Sequence, residues 1–197
     1  MSHDQRGHAA SANRQRRGPS SYAMQDAQRL WRILALGPGH ALADLGCGPG
    51  DYALEAARRV GPGGRVWALD RDPRLLASLA NEAKARGLEN LTTLAADLRE
   101  PLPLQDLSVD LCLLATVLHV IKFTLAGGGL FGEIKRVLRP RGRLAVLNCS
   151  LADLSFGPPE HLRIAPPELD RLVSPQGFRR EHLEDMGFNY LALYRKT

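Results

Sequence analysis

Cysteine is scarce in this 197-residue chain: Cys47, Cys112 and Cys149 are odd in number and far apart. That pattern is not a disulfide framework. No pair of cysteines has metal-ligand spacing and the six histidines are scattered, so no metal is expected. Long apolar runs are lacking too. The longest, Val109 to Ile121, is broken by Thr116 and His119, well short of the about 20 residues that span a bilayer. The start, with His3, Asp4, Arg6 and His8, has no apolar core of a signal peptide. These absences predict a cytoplasmic protein with no membrane span.

What is present fits one domain: 44% of residues are hydrophobic, enough to bury a core. The formal charge of +5 is concentrated at one end, because residues 1–21 hold Arg6, Arg14, Arg16 and Arg17 against Asp4 alone. That stretch is otherwise small and polar, and cannot bury enough apolar surface to offset its ordering entropy. It reads as a disordered basic leader, 1–21, before a single domain over 22–197. Two roles stay open for it: a solvated tail or an RNA-tethering arm.

Along the rest, strand and helix signals alternate. Ala27, Leu30, Trp31 and Leu34 recur at helical spacing within 24–35, and Gly37-Pro38-Gly39 stops that helix. Strands are expected at Ala41–Leu45, Arg65–Asp70, Leu91–Ala95, Val109–Leu114 and Leu144–Asn148. Helices are expected at Tyr52–Val60, Pro73–Arg86 and Leu130–Leu138, with a short one at Pro167–Val173. Such alternation implies parallel pairing through right-handed crossovers with helices on both faces. Two readings of the C-terminus compete. Phe178–Met186 is a helix, or Phe178–Glu184 is an edge strand turning at Asp185-Met186-Gly187 into Phe188–Arg195. The hairpin is favoured.

The chemistry gathers at strand ends. Ala43-Asp44-Leu45-Gly46-Cys47-Gly48-Pro49-Gly50-Asp51 follows the first strand and opens a helix. A glycine-rich turn there brings the backbone close to a ligand. Dinucleotide sites want G-x-G-x-x-G. Here the third glycine comes one residue early and Asp51 stands where the dinucleotide glycine would be, which suits a cationic ligand better than a pyrophosphate. Asp70 ends the second strand, 20 residues past Gly50, where a carboxylate can accept both hydroxyls of a ribose. Asp72-Pro73 reads as a helix start. Asp97 follows the third strand, placed to accept from an adenine amino group, with Leu98 able to pack on the ring. Asp44, Asp70 and Asp97 form a set along the carboxyl edge of the sheet.

This set resembles the class I S-adenosylmethionine-dependent methyltransferases, closest to the small ubiquinone/menaquinone-biosynthesis-like group, from about Tyr22 to Lys196. Asp44 to Gly50 looks like the family's first motif, Val66–Asp70 like its ribose-binding strand and Asp110–Ala115 like its fourth strand. Glu133–Gly142 looks like the helix and turn before its fifth. The resemblance implies a Rossmann-like, doubly wound, seven-stranded and mostly parallel α/β sheet with a C-terminal antiparallel hairpin. It implies S-adenosyl-L-methionine as cofactor, held by Tyr22, Asp44, Gly46, Cys47, Gly48, Gly50, Asp70, Arg71, Asp97, Leu98 and Ala115. Gly46, Gly48 and Gly50 would line its methionine part and Ala115 its sulfonium, Tyr22 would close over it, and Gly142 would be a turn glycine.

A general base is needed only if the acceptor carries a proton that must leave. His119, just past the fourth strand, is the candidate; the alternative is a local structural histidine. The family's amino-methylating nucleic-acid enzymes carry Asn or Asp before Pro-Pro-aromatic where this chain has Ala115-Thr116-Val117-Leu118. No Pro-Cys nucleophile of the cytosine-C5 enzymes is present, and the cysteines fit an arsenic acceptor poorly. A small, apolar, quinone-like acceptor is the expectation from resemblance. Residues 151–166, with Pro158, Pro159, His161 and Arg163, would form the opposite wall, and Gly127-Gly128-Gly129 a loop over the site. Three rivals remain: a non-catalytic S-adenosylmethionine-binding partner, a nicotinamide-dependent dehydrogenase, and an RNA methyltransferase using the leader.

Overall fold

The structure, a computed structural model, describes residues 20–122 and 129–197. The basic segment before Ser20, and Gly127 and Gly128, lie outside the described residues. A 3-10 turn, Ser21–Met24, leads into helix α1, Ala27–Leu34. There the Asp26 side chain accepts from the Arg29 backbone N–H at 3.0 Å, supplying a partner to an orphan donor of the first turn. Ala35, left-handed at φ 44, ends the helix.

Strand β1 is Ala41–Leu45, helix α2 Asp51–Val60, strand β2 Arg65–Asp70 and helix α3 Pro73–Ala85. Asp72 caps α3 and Pro73 opens it, as the sequence suggests. Strands β3, Leu91–Ala95, and β4, Val109–Ala115, are followed by a single helical turn α4, Leu118–Ile121. Helix α5 is Gly129–Val137, strand β5 Leu138–Cys149 and helix α6 Pro166–Val173. The chain closes with strands β6, Phe178–Asp185, and β7, Asn189–Lys196. The favoured hairpin reading of the C-terminus thus holds: β6 and β7 pair antiparallel.

The sheet runs β3-β2-β1-β4-β5-β7-β6. Its first five strands in space are parallel, and β7 runs antiparallel to both its neighbours, β5 and β6. Alternate side chains feed two cores. On β4, Leu111 and Leu113 pack toward α1, α2 and α3, while Cys112 and Leu114 pack toward α5 and α6. This is the doubly wound Rossmann-like architecture expected from the alternation.

One local expectation is corrected. Gly142 is not a turn glycine ahead of the fifth strand: it lies within β5, next to Arg141, which takes the left-handed conformation, φ 62. Gly142 is needed for space, since a Cβ there would lie 2.9 Å from the Arg139 carbonyl oxygen. Cys149, at the end of β5, is buried and also borders a cleft.

Candidate active site

The order of the strands reverses direction between β1 and β4, and open α/β sheets bind ligands in the crevice at that point. The glycine turn lies there. Gly46 and Cys47 N–H groups both donate to the Leu69 carbonyl of the neighbouring strand, at 2.8 and 2.9 Å. A Cβ on Gly46 would come 2.5 Å from Val117 Cγ2, and one on Gly50 would land inside the Leu79 side chain of α3. These two glycines let the turn nest between neighbours. Gly48 is different, because a Cβ there would meet nothing within 4 Å. Its face of the turn is open. Gly50, as N-cap of α2, supplies no capping side chain.

Asp44 is 1% exposed. One of its oxygens takes the N–H of Ala53 in the first turn of α2; Oδ2 is buried with no partner among the described residues. Burial, then the Asp70 carboxylate, push its carboxyl up to about 7. An acid held this way is one that a cation would ionise. Asp70 Oδ2 accepts from Gly48 N–H and Oδ1 from Asp72 N–H, each at 2.9 Å. These bonds leave further lone pairs on both oxygens, since a carboxylate has about four acceptor positions. Asp97 is gripped by Arg99 through its backbone N–H and guanidinium, which holds its carboxyl well below the usual range. Arg99 was not anticipated from the sequence.

A cleft of about 380 Å³ joins Asp70 and Asp97, lined also by Gly46, Arg71, Leu98, Arg99 and, from the β4–α4 corner, Val117, Val120 and Ile121. Six of the expected residues, Tyr22, Asp44, Cys47, Gly48, Gly50 and Ala115, do not line it. The Cys47 side chain is buried in the core against α2, and burial pushes its thiol up. Ala115, at the tip of β4, packs on the same core. Tyr22 stands edge-on to Tyr52, ring centroids 4.9 Å apart, and accepts from Trp31 Nε1 at 3.1 Å.

A second cleft, about 550 Å³, opens on the other side of the same corner. Its walls include Ser20, Ser21, Thr116, His119, Cys149, Phe156, Pro158, Pro159, Leu162 and Phe188. Thr116 is left-handed at φ 52, a costly conformation for a β-branched residue that clusters at functional sites. Its Oγ1 lies 3.1 Å from Ser21 Oγ, which lies 3.0 Å from Tyr52 OH. Burial lowers the His119 pKa, and its Nδ1 is buried without a partner among the described residues. The imidazole is therefore neutral near pH 7, with a ring nitrogen not committed to the fold. Pro158 and Pro159 line this cleft. Arg163 instead lies buried, donating to the backbone carbonyls of Ser150, Asp153, Phe156 and Pro158. His161 gives its carbonyl to Lys122. Among the described residues no group of three or more His, Cys, Asp or Glu could hold a metal, and no helix is long and apolar enough to cross a membrane.

Strand order, glycine turn and strand-tip acids together define a class I S-adenosylmethionine-dependent methyltransferase. The model of the methyltransferase domain family matches residues 36–178, and the chain belongs to that family. The 2-phytyl-1,4-naphtoquinone methyltransferase of Trichormus variabilis is 31% identical over 126 residues, 61% of this chain and 53% of that one. The ubiquinone/menaquinone biosynthesis C-methyltransferase of Cupriavidus taiwanensis is 30% identical over 127 residues, 62% of this chain and 50% of that one. This chain thus spans about half the length of these relatives. The crystal structure of a SAM dependent methyltransferase from Aquifex aeolicus shares the fold, with a TM-score of 0.82 at 23% identity over 95% of this chain and 98% of that one.

The residues fit the family's cofactor, S-adenosylmethionine. An orphaned buried carboxylate oxygen on Asp44 and a turn open at Gly48 suit a cationic amino-acid end. Asp70 at the tip of β2 suits a ribose, and Leu98 beside Asp97 an adenine.

Proposed function

We propose that this protein transfers a methyl group from S-adenosylmethionine to a small, apolar acceptor. One observation carries the reading: the β4–α4 corner is a wall shared by two clefts. Val117 and Val120 face the strand-tip cleft, while Thr116 and His119 face the second. A donor and an acceptor bound on the two sides would meet across one turn of chain.

When bound, S-adenosylmethionine supplies an electrophilic methyl group on a sulfonium. The protein's part is alignment, with reacting atoms about 3–3.5 Å apart. Asp70 would hold the ribose hydroxyls, Asp97 and Leu98 the adenine, and the Gly46–Gly50 turn and Asp44 the amino-acid end. Val117 and Leu98 keep water from the β4 side. Pro158, Pro159, Leu162 and Phe156 give the acceptor an apolar bed, which favours a flat or hydrocarbon-bearing molecule over a charged one. The quinone-related names of the relatives agree with this choice. Neutral His119 can take a proton from an acceptor hydroxyl or activated carbon as the methyl arrives.

The test is methyl transfer from S-adenosylmethionine to a panel of reduced naphthoquinones and phenols, for wild type and His119→Asn. The expected result is turnover, with kcat reduced about 10²-fold or more in the variant. Tight cofactor binding with no turnover on any apolar acceptor would favour a non-catalytic binding protein.

A further inference from the structure

The amino edge of the sheet, opposite the strand-tip cleft, is crowded with arginine. Register places Arg143 of β5 directly across from Arg195 of β7, and Arg195 directly across from Arg179 of β6. Residues paired this way share one face, and like charges directly opposite destabilise a sheet. The row is felt by its members: burial, then the Arg195 charge, lower the Arg143 pKa.

Few acids relieve it. Glu181 pairs with Arg195, and Asp110 with Arg139 at 2.7 Å. Arg143 donates to the Ala35 carbonyl at 3.4 Å. Among the described residues no acid lies within ion-pair distance of Arg141, Arg143 or Arg179. Arg141 and Arg179 are exposed.

A cavity of about 480 Å³ opens at this edge, lined by Pro140, Arg141, Arg179, Arg195, Lys196 and Thr197. Hydrogen bonds fix its outline. Arg195 Nη1 donates to the Arg141 carbonyl at 3.1 Å, Lys196 Nζ to the Leu138 carbonyl at 2.6 Å, and Thr197 N–H to the Gly177 carbonyl at 3.0 Å. Counted against Glu181 and the Thr197 carboxyl group, the four cations of the cavity leave a positive excess. An electropositive hollow concentrates anions, and a guanidinium fork matches the oxygens of a phosphate group. Nucleic acid is held by cations spread over many phosphates. Here they surround one hollow, which suits a small polyanion.

We infer that this cavity is a second binding site, for a small anion carrying a diphosphate group, with Arg141, Arg179 and Arg195 as its forks. It lies at the ends of β5 and β7 remote from Cys149 and Asn189, which border the second cleft. Its ligand is therefore neither the methyl donor nor the acceptor. The inference stands apart from the methyl-transfer reading and is measured without turnover.

The probe is inorganic pyrophosphate, titrated calorimetrically into the full chain at low ionic strength. Saturable binding is expected, and it weakens as salt rises. Arg141→Asn with Arg179→Gln lowers the affinity about tenfold or more; asparagine tolerates the left-handed backbone at 141. Glu181→Gln releases Arg195 from its internal partner and tightens binding about threefold. Pyrophosphate raises the melting temperature of wild type and not that of the double variant. Without pyrophosphate the double variant melts no lower than wild type, because like charges have been removed. Its S-adenosylmethionine titration stays at wild-type values, and together these report an intact fold. Three results overturn the inference. They are no pyrophosphate binding by wild type, equal binding by the double variant, which would assign the anion to other cations, or a short RNA duplex that binds wild type far more tightly than pyrophosphate and is released by the same two substitutions.

Discussion

The two clefts beside the β4–α4 corner are built in opposite ways. The strand-tip cleft takes most of its polar groups from two neighbouring strand ends and one glycine turn, in a stretch from Gly46 to Arg99. The second cleft draws its walls from Ser20 to Asn189, nearly the whole chain. The first is made by regular secondary structure, which fixes backbone positions tightly. The second is made by irregular segments pinned by a few polar contacts, Ser21 to Thr116 and Arg163 to four carbonyls. One scaffold can thus keep a constant donor site while the acceptor side varies.

If the regular region is the rigid one, crowding its turn is the most damaging change. Gly50→Val puts a β-branched residue at φ 83 and drives its side chain into Leu79. Strain and overpacking together cost several kcal/mol, expected as a drop in melting temperature of roughly 10 °C or more with cofactor binding lost. Arg163→Met breaks the other region. Carbonyls left without a donor cost about 1–3 kcal/mol each when buried, so the loop should loosen. Acceptor KM is then expected to rise about tenfold while S-adenosylmethionine affinity, measured by titration, stays within about twofold. A parallel fall in both affinities would deny that the two regions are separate.

A third effect is in pH dependence. The Asp44 carboxyl titrates at about 7 in the folded protein, against an ordinary value of 3.8. Between these values the folded chain holds a proton that the unfolded chain has released. Stability from this group therefore falls as pH rises through that window, and the penalty of up to roughly 4 kcal/mol persists above it. Asp44→Asn removes it. Melting of the ligand-free protein should show the variant gaining on wild type from pH 5 to pH 8; equal differences at both would contradict the account.

This contrast also explains what the sequence discloses. Strand ends, the hairpin and the glycine turn follow from local periodicity and turn chemistry, and Asp44, Asp70 and Asp97 follow from their place after strands. The Gly46–Gly50 spacing separates this turn from a dinucleotide loop without any tertiary knowledge. The Ser21–Tyr52–Thr116 hydroxyls, 31 and 95 residues apart, have no local signature. Arg163 looks like a surface arginine in a Pro-rich loop until its four carbonyls are seen. Cys47 and Tyr22, expected at the cofactor from the family resemblance, have side chains that pack on the core, a feature that spacing alone does not contain.

The most direct measurement is calorimetric titration of S-adenosylmethionine into wild type and Asp70→Ala. The account predicts micromolar binding by wild type and a loss of about 10²-fold or more in the variant, whose ribose hydroxyls would have no carboxylate acceptor. Wild type that does not bind, or Asp70→Ala that binds equally well, would contradict the claim that these strand tips hold the cofactor.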